Sequence, residues 1–225
     1  MTIAIGLRCA DGAVFACDSQ ETRGNFFRYW PQIHLVQGRF AIVSAGNPTL
    51  GEVFTRRLGE VLDEKGENTP LTPARALTLI EGVLRKMAEE GGESAVKERQ
   101  ILVAGFLDGG EKGLWAIDAE EMHPREMRTW ECYGSGRDVG DMVLSDLYFP
   151  GIRVKEAVAL VAYVVDAVSA LCVDCGGPVQ VATLTEQGLR LMDQDEVDRA
   201  LKRVKGKIDR LRKELPKRVI RQAGG

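Results

Sequence analysis

The sequence predicts a layered α+β fold: a four-layer αββα sandwich of two stacked antiparallel sheets with helices on both outer faces. Three observations predict it. Short apolar runs occur in pairs, joined by turn residues, with the spacing of strands. Between these pairs the apolar period lengthens to that of amphipathic helices. The order along the chain is strand pairs, two helices, strand pairs, two helices, one strand pair and a last helix, which alternates antiparallel groups with helical ones. At 225 residues and 44% hydrophobic content the chain can bury a substantial core. No repeat or linker divides it, so a single domain over 1–225 is expected.

Thr2–Cys9 alternates in β-forming residues, Asp11-Gly12 is a hairpin turn, and Ala13–Cys17 is a buried strand. Asp18–Pro31 is polar and aromatic without a clear period. Ile33–Val36 and Phe40–Ser44 form a second strand pair around Gln37-Gly38-Arg39, and Ala45-Gly46-Asn47-Pro48 stops it. Thr49–Leu62 and Pro73–Glu90 have helical spacing, with a Gly-, Asn- and Pro-containing loop between them and Thr72-Pro73 as N-cap and first turn. Gln100–Leu107 and Gly113–Ile117 flank an Asp108-Gly109-Gly110 turn, and Glu126–Tyr133 reads as one further strand. Gly134-Ser135-Gly136 leads into a helix over Asp138–Tyr148, with Ser135 a candidate N-cap, and Lys155–Leu171 is a long apolar-faced helix. Val179–Leu184 and Gly188–Met192 make a last hairpin. Gln194–Leu215 is a charged amphipathic helix expected to stop at Pro216.

Composition narrows the function classes. Thirty basic against 33 acidic residues give a net charge of −3, without the basic excess of a nucleic-acid binder. The longest apolar run, Ala157–Val173, is interrupted by Tyr163, Asp166 and Ser169, so no membrane span is expected. The N-terminus lacks the layout of a signal peptide. Five cysteines, an odd and sparse set, argue against a disulfide scaffold and for a reducing, cytoplasmic setting.

Several segments, taken in order, carry a resemblance. The chain opens Thr2-Ile3-Ala4-Ile5-Gly6, continues through Asp11-Gly12-Ala13-Val14-Phe15-Ala16-Cys17 and reaches Asp18. Ser19-Gln20-Glu21-Thr22-Arg23-Gly24, Ala41–Gly46, Tyr133-Gly134-Ser135-Gly136 and the Gly176-Gly177 pair before Val179–Leu184 follow. This ordered set resembles proteasome β-type subunits and the related bacterial heat-shock peptidase, members of the N-terminal-nucleophile (Ntn) hydrolases. The resemblance implies a catalytic threonine at the mature N-terminus and therefore removal of Met1. It implies an aspartate at Asp18 that supports the site, an oxyanion-binding N–H at Gly46 and a serine at Ser135 near the threonine amine. No cofactor and no metal are expected.

The chemistry behind such a site is simple. A threonine hydroxyl is a weak nucleophile until a base takes its proton, and an N-terminal residue carries an α-amine with a pKa of roughly 7.7–8.0. Asp18 can stabilise the protonated amine by charge. A backbone N–H beside a glycine can approach developing negative charge closely. Without its family context, Thr2 reads as an ordinary strand residue, Asp18 as a solvated strand end and Gly46 as a turn.

Two positions depart from the family pattern. The family lysine, on the strand entered near Ile33, has no counterpart, because the first lysine of the chain is Lys65. Matching Ile33-His34 to the family text puts Gln32 at that position, whereas ungapped counting from Asp18 puts His34 there. Gln32 cannot exchange a proton; His34 can, and is the candidate replacement base. Arg28 and Arg39 can supply charge but not a base. The second departure is Cys172-Val173-Asp174-Cys175, where the family carries an aspartate and a serine. The pair lacks further ligands at zinc spacing, and it sits at a helix end where a thioredoxin-like pair needs a helix start, so buried thiols are the first reading and a redox or metal function the second.

The first functional expectation is a threonine peptidase that cleaves peptide bonds, or small amides, through an acyl-enzyme. The resemblance also implies a homo-oligomeric ring and allows a regulatory ATPase partner. The alternative is a catalytically silent scaffold or binding subunit of the same fold, to which the missing lysine points. Acyl transfer to an amine passes through the same ester and is a third reading. Phe26, Phe27, Tyr29 and Trp30 are expected to line a cleft or a subunit contact.

Overall fold

The computed structural model describes residues 2–23, 26–46, 48–65, 70–91, 99–118 and 123–223. Residues 1, 24–25, 47, 66–69, 92–98, 119–122 and 224–225 lie outside the described residues, as do the side chains of 22–23, 48, 50, 65, 91, 99 and 212–223. Three apolar clusters arrange the elements in four layers.

The first sheet has the strand order β10-β1-β2-β11-β12, from β1 (Ile3–Cys9), β2 (Gly12–Cys17), β10 (Trp130–Gly134), β11 (Gln180–Thr185) and β12 (Gly188–Leu191). The second has the order β5-β6-β7-β8-β9, from β5 (Ile33–Val36), β6 (Phe40–Gly46), β7 (Arg99–Phe106), β8 (Lys112–Ile117) and β9 (Arg125–Glu126). Every pairing in both sheets is antiparallel.

Strand alternation sends side chains to two different cores. Ile3, Ile5 and Leu7 of β1, with Val14 and Ala16 of β2, pack against Val158, Val161, Val165 and Val168 of helix α4 (Val154–Leu171). Phe40 and Ile42 of β6, with Ile101 and Val103 of β7, pack against α1 (Pro48–Lys65) and α2 (Pro73–Gly91). Between the sheets lies a third core, made largely of small side chains: Ala4, Ala13, Cys17, Ala41, Val43, Ala45, Ala104, Ala116 and Ala182, around Phe15 and Tyr133. Small residues at this inner layer let two sheets approach while each still buries both faces. That explains why β2, β6 and β8 read as near-continuous apolar runs. The apolar segment at Ala157–Val173 is thus a core helix, and among the described residues no helix is long and apolar enough to cross a membrane.

Local chemistry sets the element ends. Asp11, in the first hairpin turn, also accepts the Val154 N–H at 2.8 Å and so ties the start of α4 to the β1–β2 turn. An added Cβ at Gly12 would stand 1.9 Å from the Leu184 carbonyl oxygen, so only glycine fits there. The Thr72 hydroxyl accepts the Arg75 N–H at 3.4 Å at the start of α2. Helix α3 (Arg137–Leu147) takes Gly136, not Ser135, as its N-cap, with no side-chain cap.

Three expectations are corrected. The aperiodic stretch after Asp18 contains a hairpin of its own, β3 (Gln20–Arg23) with β4 (Phe26–Tyr29), paired Gln20↔Tyr29 through Arg23↔Phe26. Its outer side chains are exposed aromatics, so the usual core-facing pattern is missing. Glu126–Tyr133 is not one strand: β9 joins the second sheet and β10 the first, and Met127 is buried between them in the inner core. The last helix, α5, runs Gln194–Ala223 and passes through Pro216. An interior proline costs roughly 3 kcal/mol by removing one N–H donor, and here that cost does not end the helix.

Candidate active site

The strand ends of both sheets converge on Thr2. Thr2 immediately precedes β1 and is 4% exposed; Asp18 follows β2 and is fully buried. Gln32 enters β5, Gly134 ends β10, Gly46 ends β6, and Gly176 follows α4. Antiparallel pairing of β1 with β2 (Ala4↔Cys17) and with β10 (Ile3↔Gly134) puts the start of β1 beside the ends of both neighbours.

The Thr2 hydroxyl lies between two oxygen acceptors. It donates to Asp18 Oδ1 and also lies 2.8 Å from Gln32 Oε1. The Gln32 amide is oriented by its own Nε2, which donates to the Gln20 carbonyl at 3.1 Å and leaves the oxygen facing Thr2. The start of β5 is held by Gln180 of β11: its Oε1 accepts the Gln32 and Ile33 N–H groups at 2.9 and 3.3 Å, and its Nε2 donates to the Trp30 carbonyl at 3.0 Å. A strand of the first sheet therefore fixes the residue that the second sheet offers to Thr2.

Asp18 is the electrostatic centre. Its Oδ1 also accepts the Ile3 N–H at 3.1 Å, and its Oδ2 accepts the Gly176 N–H at 2.8 Å. Burial pushes its carboxyl above the ordinary value of 3.8, while the bonds from Thr2, Gly176, Ile3 and Gln20 pull it back. One hydroxyl proton cannot serve two acceptors at once. A protonated Asp18 donating to Thr2 Oγ1 would release that proton to Gln32. A deprotonated one holds it.

The backbone around Thr2 is closely fitted. Gly134 has φ +94°, and a Cβ there would stand 2.0 Å from the Thr2 carbonyl oxygen, so the position admits only glycine. Its N–H donates to Gln100 Oε1 at 2.9 Å. The same hypothetical Cβ would meet Ala45 Cβ at 3.3 Å, which locates the end of β6 beside this turn. Gly46 follows Ala45 with φ +99°.

Not every expected residue joins this group in the same way. Thr2 and Asp18 are brought together as expected. Ser135 is exposed, and its Oγ lies 3.7 Å from Cys175 Sγ and 3.9 Å from Cys172 Sγ, so the contacts seen for it are with the cysteine turn. His34 shares a strand face with Val36, which packs in the core under α1 and α2. Burial lowers its pKa from the ordinary 6.5, and Glu52 of α1 is the charge that raises it. Of the two residues that compete for the lysine position, Gln32 is the one that touches Thr2. Gln180 and Gln100 were not singled out from the sequence, and Gly176 entered only through the Gly176-Gly177 pair, with no role at the site. A glutamine in an otherwise apolar strand start is the only signal that pointed to Gln180. Among the described residues no group of three or more His, Cys, Asp or Glu side chains could hold a metal ion.

The family model described as Proteasome subunit matches residues 2–184. The chain belongs to the proteasome subunit family. It is 24% identical over 208 residues to the Proteasome subunit beta of Methanohalophilus mahii, covering 91% of this chain and 96% of that protein. To Proteasome subunit beta 1 of Thermococcus kodakarensis it is 26% identical over 202 residues, covering 87% and 94%. A solved structure, the Anbu (Gly-1) mutant from Hyphomicrobium sp. strain MC1, superposes with a TM-score of 0.78 at 19% identity, covering 96% of this chain and 97% of that one. That likeness shows the fold, an α+β sandwich of the Ntn type.

Proposed function

We propose that this proteasome-family chain is an N-terminal threonine hydrolase that cleaves peptide or small amide bonds through an acyl-enzyme. The observation that carries the reading is the Thr2 hydroxyl, buried and hydrogen-bonded to the buried Asp18. Removal of Met1 frees the Thr2 α-amine, which takes the hydroxyl proton as Oγ1 attacks the carbonyl carbon. Asp18 balances the resulting ammonium, since the family lysine is replaced by neutral Gln32. The Gly46 N–H at the end of β6 holds the oxyanion. The intermediate then expels the amine half of the substrate, which takes its proton from the Thr2 ammonium, and leaves the acyl-enzyme; water attacks that ester, releases the acid and restores the hydroxyl.

The proposal extends to the whole of 1–225 as one domain, to a homo-oligomeric assembly and to a cytoplasmic location. The family's β-type relatives and the sparse, odd set of five cysteines support these. Phe26, Phe27, Tyr29 and Trp30, exposed on and just after β4, are apolar surface suited to a subunit contact.

Gln32 also favours a second reading, a silent scaffold subunit. It occupies the lysine position with a group that neither carries charge nor exchanges a proton. Hydrolysis of a panel of fluorogenic peptides by the wild-type chain and by Thr2→Ala separates the two. Turnover lost in Thr2→Ala supports the hydrolase; turnover that survives the substitution, or is absent from both, overturns it.

A further inference from the structure

Cys172 and Cys175 take no part in the chemistry proposed for Thr2, yet their placement is specific. Cys172 closes α4, its N–H donating to the Val168 carbonyl at 2.8 Å. The Cys175 N–H then donates to the Cys172 carbonyl at 3.1 Å. This bond defines a turn that holds the two Cα atoms within about 7 Å, and a disulfide needs a separation of roughly 4.4–6.8 Å. Both thiols lie against one hydroxyl, Ser135 Oγ, which is 3.9 Å from Cys172 Sγ and 3.7 Å from Cys175 Sγ. Cys172 is partly exposed and Cys175 is buried, the asymmetry expected of an attacking and a resolving thiol. Cys17 lies in the inner core, across the first sheet from this pair, whereas Cys132 shares the outer core with Cys175 but belongs to β10 and not to the turn that joins Cys172 to Cys175.

The turn is joined directly to the threonine site. Gly176 follows Cys175; its N–H donates to Asp18 Oδ2 at 2.8 Å, and its carbonyl accepts the Ser19 N–H at 3.1 Å. We propose that Cys172 and Cys175 are a redox-active dithiol, closed to an intramolecular disulfide by small disulfides of the oxidised-glutathione class, and that closure draws Gly176 away from Asp18. The effect on Thr2 rests on the threonine reading above; the disulfide does not.

The step balances by two exchanges. The Cys172 thiolate attacks one sulfur of the small disulfide, a mixed disulfide forms, and one small thiolate leaves and takes up a proton. Cys175 gives its proton to solvent and attacks Cys172 Sγ, and the second small thiolate leaves and is protonated. The chain loses two electrons and two protons, and the small disulfide becomes two thiols. The exchange is slow in its second half. Burial, with the charge of Asp18 beside it, pushes the Cys175 thiol up to about 12. Such a pair responds to sustained rather than brief oxidation.

The test incubates the full chain in glutathione buffers from fully reduced to fully oxidised, then alkylates free thiols and maps the products by mass spectrometry. The expected product is a Cys172–Cys175 disulfide. With it, hydrogen exchange in the Gly176 segment rises about tenfold as one bond to Asp18 is lost. In Cys175→Ser, glutathione stays bound to Cys172. Free thiols throughout, a stable glutathione adduct on the wild-type chain, or a disulfide that leaves Gly176 exchange unchanged would each overturn the proposal. Thr2 labelling by an electrophile, measured in the same samples, is expected to slow about tenfold on oxidation. A chain that does not label even when reduced refutes the threonine reading and leaves the disulfide result to stand by itself.

Discussion

At the level of single residues the account turns on Asp18 and Gln32. Asp18 collects Thr2 Oγ1 and the N–H groups of Ile3 and Gly176 on one buried carboxyl. An asparagine there would put an amide N–H where a donor already points, and it removes the charge that balances the Thr2 ammonium. Asp18→Asn is therefore expected to slow Thr2 labelling by on the order of 100-fold, read as adduct formation over time. Unchanged labelling would remove Asp18 from the mechanism. Gln32→Lys makes the opposite prediction. It returns a cation to a position 2.8 Å from the Thr2 hydroxyl and beside Asp18, and is expected to speed labelling at least about tenfold. Thr2 and Asp18 were legible in the sequence because a family pattern fixes their spacing. The contact of Gln32 was not, since two alignments of the same few residues pointed to Gln32 and to His34, and only the entry angle of β5 decides between them. That angle is set by Gln180, 148 residues from Gln32 along the chain.

At the level of elements, β5 shows what alternation does to a residue that is chemically able but turned the wrong way. His34 shares its strand face with Val36 and lies on the helix side of the second sheet. Its burial favours the neutral ring, so its pKa is lowered from 6.5. The sign follows: the folded state binds the proton less well than the unfolded chain does. The stability that this gives is complete above pH 6.5 and is lost as pH falls through the lowered value of the folded state. His34→Gln is expected to flatten the fall in Tm below that pH and to leave Thr2 labelling unchanged. A loss of labelling would restore His34 as a base. Most strands and helices were readable from period and turn chemistry. The exceptions are informative: β3 and β4 expose their aromatics, so no inward face marks them, and the Glu126–Tyr133 run switches sheets at Met127 without a break in its apolar pattern.

At the level of the whole molecule, the site exists because two sheets with small inner faces stack closely enough for β1, β5, β6 and β10 to end together. Ala104 on β7 is 2% exposed and lies in that inner layer. Ala104→Leu should overpack it and cost about 1–3 kcal/mol, measured by chemical denaturation. A neutral result would show slack between the sheets that the account excludes. The layer order was legible from the alternation of strand pairs and helix pairs. The inner core was not, because an alanine in a two-sided apolar strand carries no sign of which sheet faces it.

The central claim is that Thr2 is a working N-terminal nucleophile without the family lysine. Intact mass of the purified chain, before and after a peptide epoxyketone or β-lactone, tests it most directly. The account predicts loss of the Met1 mass and a single adduct that disappears in Thr2→Ala. A chain that keeps Met1 and takes up no adduct would contradict it and leave a proteasome-family scaffold.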